Sequence, residues 1–137
     1  MRVGDIMTAK PITVEPQTPM LEARQRMGEE RIRHLVVVQD GLVVGIVTDR
    51  DIRLNMPSPA TSLSVWEINY LLGRLTVADV MSRSVIVVDS NRPVAEAARI
   101  MIDQKIGALP VMDDGGLTGI ITESDFVRLA AREHALG

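Results

Sequence analysis

The sequence predicts an α/β (α+β) fold made of two β-α-β-β-α repeats, and three observations predict it. Residues 3–54 align with residues 77–128 at a constant offset of 74 (77 − 3) without a gap, and about a third of the aligned positions are identical. The heptapeptide GIVTDRD at 45–51 returns as GIITESD at 119–125. Short β-branched runs and helical spacings alternate in the same order in both copies. Matched pairs include Asp5/Asp79, Met7/Met81, Pro19/Pro93, Glu22/Glu96, Met27/Met101 and Gly45/Gly119. The chain therefore divides into repeat 1 (1–54), a linker with a short helix (55–76), and repeat 2 with a C-terminal helix (77–137).

Each element has a local reason. Ile12–Val14 is a short apolar run that reads as a strand. Thr18 and Pro19 suit the cap and the first position of a helix in which Met20, Ala23 and Met27 recur at helical spacing. Leu35–Val38 is a β-branched run, Asp40-Gly41 is a hairpin signal, and Val43–Val47 returns as the second strand. A helix starts near Thr48 and runs through Ile52 and Leu54. In repeat 2 the turn is Asp113-Asp114-Gly115-Gly116. In the linker, Pro57, Ser58 and Pro59 break the chain. Ser64 and Glu67 form a capping box, with Leu63 and Ile68 at staple positions. The linker helix is expected over residues 65–72, with Gly73 ending it. It carries the single Trp and the single Tyr. Trp66, Tyr70 and Leu71 read as packing onto the body, or else onto a second subunit.

Composition narrows the function classes. The chain has 137 residues, enough for a real core, and aromatics are 2%, so Val, Ile, Leu, Ala and Met must build it. A net charge of −3 offers no bulk attraction for nucleic acid or an anionic membrane. The absence of cysteine excludes disulfides, thiolate metal sites and thiol nucleophiles. The N-terminus has no apolar leader region, and no run of about 18 apolar residues occurs. A cytoplasmic protein without membrane contact is the expectation. No metal signature, P-loop or hydrolase elbow is present, so a non-enzyme is expected. His134, in the C-terminal AREHALG, reads as solvated.

The Thr-x-x-Asp at 48–51 and 122–125 has two readings. As a capping box, the Thr oxygen accepts from a free N–H of the first turn and the acid favours the positive helix end. As a ligand site, the helix N-terminus attracts an anion, and the carboxylate can accept from two neighbouring hydroxyls of a ribose. Positive charge gathers near the first copy in Arg33, His34 and Arg50. Arg offers a fixed fork of donors for phosphate, and His34 is titratable.

A DIM- or DVM-type start, an LVVV or LPVM strand and G-[IV]-[IV]-T-x-x-D, twice over, resemble a tandem pair of CBS domains. The segment PSPATSL…WEINYLL resembles that of bacterial stand-alone CBS-pair proteins, acetoin-utilisation accessory proteins among them. The resemblance implies two repeats about a pseudo-twofold axis, flanking clefts, and a flat homodimer. It also implies an adenosine ligand such as AMP, ADP, ATP or S-adenosylmethionine, with Mg²⁺ arriving only on a nucleotide and no required cofactor. By the same resemblance, Asp51 binds ribose, and Arg33, His34, Thr48 and Arg50 face phosphate. Lys10, Pro11 and Ile12 lie against the base. A second, weaker site comprises Asp125, Thr122, Ser124, Val85 and Ile86. There Gly107 and Ala108 replace Arg33 and His34, and Ser124 replaces Arg50. The chain is thus expected to be a regulatory sensor that signals to an effector protein of unknown identity. The alternative is a dimerisation and interaction platform in which Thr-x-x-Asp only caps helices.

Overall fold

Two β-hairpins with left-handed turn residues anchor the chain. Asp40 and Gly41 (φ 52° and 78°), and Asp114 and Gly115 (φ 51° and 79°), are the two-residue loops. Positive φ at both positions is the type I′ geometry whose twist matches the flanking strands. The computed structural model describes residues 1–132. Their order is α1 (Val3–Ile6), β1 (Thr8–Ala9), β2 (Thr13–Val14), α2 (Met20–Glu30), β3 (His34–Gln39), β4 (Leu42–Thr48), α3 (Asp49–Leu54), α4 (Val65–Arg74), α5 (Val77–Val80), α6 (Val94–Gln104), β5 (Ala108–Asp113), β6 (Gly116–Thr122) and α7 (Glu123–Arg132). His134 lies outside the described residues.

The chain clusters into two units, and they do not coincide with the sequence repeats. One comprises Ile12–Ser84; the other joins residues 1–11 to the residues from 85 onward. The leading segment of each repeat is therefore built into the unit that holds the other repeat's hairpin.

In the 12–84 unit the sheet order is β2-β3-β4. Strand β2 runs parallel to β3, with Thr13 opposite Val36, and β3 runs antiparallel to β4. Helix α2 buries Met20, Ala23 and Met27 in a core with Leu35, Val37, Val47, Ile52, Leu72, Val77 and Met81. The spacing of those three α2 residues follows from 3.6 residues per turn. The other unit has sheet order β1-β6-β5, with Thr8 opposite Ile120. Its core gathers Val3, Ile6, Val88, Ala97, Met101, Leu109, Val111 and Ile121. Both hairpins carry a register shift at matched places, Val37/Val38 and Val111/Met112.

Several local expectations are corrected. Pro19 is the residue before α2, with ψ 136°, and no side chain caps that helix. The Met20 N–H instead donates to the Leu75 carbonyl at 2.9 Å, so a backbone partner does what Thr18 was expected to do. The repeat-2 counterpart of β2 is reduced to one bridge, Val88 to Val111, so Val85 and Ile86 are not in a strand. Gly73 lies inside α4, which runs on to Arg74. Ser64 and Glu67 do form the full capping box.

The linker aromatics do not pack onto the body, which corrects one of the two readings of Trp66, Tyr70 and Leu71. Trp66 is 84% exposed, Tyr70 63% and Leu71 51%; Leu72 is the α4 side chain that enters the core, with Ile68 packed against it. The Tyr70 hydroxyl accepts from Arg74 at 2.7 Å, and the guanidinium lies over the ring. The aromatics are on the outer face of α4, opposite the Ile68–Leu72 stripe.

Candidate functional site

The sequence-predicted residues of repeat 1 converge at one end of the β3–β4 hairpin. Antiparallel pairing sets His34, the first residue of β3, directly opposite Thr48, the last of β4. The Arg33 carbonyl accepts the Asp49 N–H at 2.9 Å, which fixes the start of α3 to the residue preceding β3. Arg50 and Asp51 follow in the first turn of α3. Ile12 precedes β2 and reaches this end because β2 is parallel to β3, with Thr13 opposite Val36. Ile12, His34 and Asp51 are half-buried, whereas Arg33 and Arg50 are exposed. Lys10 and Pro11 belong to the other unit. Lys10 is exposed and has a left-handed backbone, φ 53°, unusual for a residue with a Cβ.

Thr48 and Asp51 form a reciprocal capping box. The Asp51 N–H donates to Thr48 Oγ1 at 3.1 Å, and the Thr48 N–H donates to Asp51 Oδ2 at 2.8 Å. That arrangement occupies one carboxylate oxygen. Among the described residues, Asp51 Oδ1 has no hydrogen-bond or ion-pair partner. Capping and an outward-facing acceptor therefore coexist in one side chain. Arg53 is paired with Asp49 at 3.0 Å.

The matched carboxylate of repeat 2 is in a different state. Asp125 is 3% exposed, the single buried charged side chain among the described residues. Its Oδ2 accepts from the Thr122 N–H at 2.8 Å and from Thr122 Oγ1 at 3.3 Å. Its Oδ1 accepts from Thr8 Oγ1 at 3.1 Å and from Arg128 Nη2 at 2.6 Å. A cavity of about 450 Å³ adjoins it, lined by Met7, Thr8, Asp125, Arg128 and Arg132 among others. Ser124 is exposed, and Val85 and Ile86 are half-buried. Gly107, Ala108 and Ser124 leave the matched positions of repeat 2 without a cation. Helix α7 instead supplies Arg128 and Arg132, one and two turns beyond Asp125. The available signal was the i, i+3 spacing of Asp125 and Arg128, which stacks the two on one helix face.

A second hollow, about 500 Å³, runs along α2 and is lined by Thr13, Glu15, Glu22, Arg26 and Glu29 among others. It contains none of the candidate residues, and its acidic wall does not suit a phosphate. No group of three or more His, Cys, Asp or Glu among the described residues could hold a metal ion. No described helix is long and apolar enough to cross a membrane.

Three solved structures are similar over nearly the whole chain. AcuB of Vibrio cholerae, a protein named for acetoin utilization, is 32% identical with a TM-score of 0.79, covering 96% of this chain and 90% of that one. The CBS domain pair of protein MJ0100, solved with 5′-methylthioadenosine and S-adenosyl-L-methionine, is 29% identical with a TM-score of 0.78, covering 96% of each chain. CBSX2, solved in complex with AMP, is 30% identical with a TM-score of 0.75, again covering 96% of each. The CBS-domain family model matches twice, at residues 3–58 and 77–132. The chain belongs to the CBS-domain family, as a tandem pair.

Proposed function

We propose that this chain is a regulatory module that binds an adenosine derivative, AMP, ADP, ATP or S-adenosylmethionine. Asp51 takes the ribose diol. Arg33, His34, Thr48 and Arg50 face the phosphates or the substituent at the ribose 5′ position. Ile12 serves the base. Any Mg²⁺ comes with the nucleotide, held mainly by its phosphates. Ligand binding shifts an equilibrium between arrangements that differ in affinity, and a protein partner reads the shift. The module works in the cytoplasm, as a homodimer.

The observation that carries this reading is Asp51 itself. One oxygen is spent on the Thr48 cap and the other has no partner among the described residues, so a diol can be accepted without breaking α3. AMP, 5′-methylthioadenosine and S-adenosylmethionine, bound by similar proteins, share adenosine and differ in charge beyond the 5′ carbon. Thermal unfolding with each compound tests the reading. A ligand at about 100 times its Kd stabilises the fold by about 2.7 kcal/mol. That shift should vanish in Asp51→Ala. Absence of a shift with every adenosine compound would leave the rival reading, an interaction platform, which the exposed Trp66 and Tyr70 favour.

A further inference from the structure

The two Thr-x-x-Asp carboxylates are equivalent in sequence and opposite in state. An ionised carboxylate offers about four lone-pair sites. At Asp125 four donors occupy them: the Thr122 N–H, Thr122 Oγ1, Thr8 Oγ1 and Arg128 Nη2. At Asp51 the Thr48 N–H is the one donor among the described residues. A diol, which must donate two O–H bonds, finds room at Asp51 and none at Asp125. The charged one among the four donors is identified by the offset of 74: Arg128 stands where repeat 1 has Leu54, which has no donor.

We propose that Arg128 is a latch that decides which of the two carboxylates is open. Paired with Arg128, Asp125 is saturated and closed to a diol. When the guanidinium swings out, one acceptor site on Asp125 Oδ1 opens beside the cavity of about 450 Å³, and rotation of the Thr8 hydroxyl, which donates to the same oxygen, frees the second. The latch side chain is free to move: Arg128 is 62% exposed, while the Asp125 side chain is 2% exposed and held by Thr8 and Thr122. Of the donors that distinguish Asp125 from Asp51, Arg128 is the one that a substitution between the repeats, Arg for Leu, supplies in the helix after each hairpin. The inference rests on the diol reading of Thr-x-x-Asp.

Calorimetric titration of the full chain with AMP, and separately with S-adenosylmethionine, tests it. Wild type should bind one equivalent through Asp51, with any second equivalent at least tenfold weaker. Arg128→Leu should strengthen the second at least tenfold. Asp51→Ala should remove the first, and Asp51→Ala with Arg128→Leu should recover one equivalent. The reciprocal Leu54→Arg should weaken the Asp51 site at least tenfold. Leu54 is 72% exposed, so this variant carries the test even where Arg128→Leu fails to fold. Wild-type binding with both Arg128→Leu and Leu54→Arg without effect overturns the latch alone. Two equal equivalents in wild type also overturn the latch alone. No binding of either compound by any variant overturns the latch together with the adenosine reading.

Discussion

Gly45 and Met81 approach so closely that a Cβ on the glycine would lie 2.6 Å from the methionine sulfur and 2.8 Å from the Ser82 carbonyl oxygen. The sulfur ends a flexible side chain and can move. The carbonyl cannot, because Ile46 and Ser82 exchange backbone hydrogen bonds at 3.0 and 2.9 Å. Gly119 meets Met7 and the Thr8 carbonyl in the same way, at 2.6 and 2.9 Å. The glycine that opens each G-[IV]-[IV]-T-x-x-D motif therefore makes room for the leading segment of the other repeat. Gly45→Ala and Gly119→Ala should each cost about 1–3 kcal/mol, the range for overpacking. Gly73 is the contrast: it lies inside α4 with nothing within 4 Å of a Cβ. Gly73→Ala should stabilise by about 0.5–1 kcal/mol through helix propensity. Urea midpoints at unchanged m-value check all three.

The two capping aspartates should separate in stability as well as in binding. Asp51→Ala removes the N3 acceptor of the capping box at a half-buried position, leaves Thr48 as the N-cap, and should cost about 0.5–1.5 kcal/mol, the net value of one hydrogen bond. Asp125→Ala removes a buried acceptor of four hydrogen bonds and strands Thr8, Thr122 and Arg128. It should cost more than Asp51→Ala, because part-buried donors on Thr8 and Thr122 lose their acceptor, at about 1–3 kcal/mol for each one left unsatisfied. Equal losses in chemical unfolding would mean that the Asp125 network contributes no more than a cap.

Repeat, hairpins and capping boxes were legible because each is a local signal. A constant offset exposes the duplication. Asp40-Gly41 and Asp114-Gly115 need positive φ that few residue pairs supply. Thr48 and Asp51, or Ser64 and Glu67, are three residues apart. What local spacing hides is partnership across the chain. Nothing near Met7 or Met81 says that each packs against the hairpin of the other repeat. The equal pairing Met7/Met81 shows only that the two sites are equivalent. The weakened strand before Asp89 was hidden for the same reason. Residues 85–88 are as apolar as 12–14, yet a single bridge forms at Val88. In the Asp125 site the residues compared across repeats, 107, 108 and 124, carry no charge, while Arg128 arrives through helix geometry.

Linker aromatics test how exposure and packing divide within one helix. Trp66 is 84% exposed, so Trp66→Ala should change stability by less than about 0.5 kcal/mol. Leu72, buried four residues before Thr76, should cost about 2 kcal/mol or more as Leu72→Ala. Since Trp66 is the only Trp, its fluorescence reports this face alone. In dilute protein it should be quenched by acrylamide nearly as well as in the denatured chain. Protection that grows with protein concentration would show a second copy covering the helix.

Asp113 sets a sign for the acid limb of the stability curve. The Ser90 N–H donates to its carboxylate at 2.9 Å, the Thr118 hydroxyl at 2.8 Å and the Ser90 hydroxyl at 3.0 Å. The Ser90 backbone bond, followed by that of Thr118, holds its pKa below the ordinary 3.8. The folded form then binds its proton less readily than the unfolded chain. Its contribution is present above the unfolded value and is lost as pH falls below 3.8 through the folded value. Asp79, whose carboxylate accepts the Thr76 N–H at 2.8 Å, is lowered for the same reason and acts in the same direction. Asp113→Asn should lower the urea midpoint by a constant amount at neutral pH, and the gap from wild type should close below pH 3.8. A gap that persists unchanged into acid would assign the loss to altered turn geometry, with the charge of Asp113 contributing nothing.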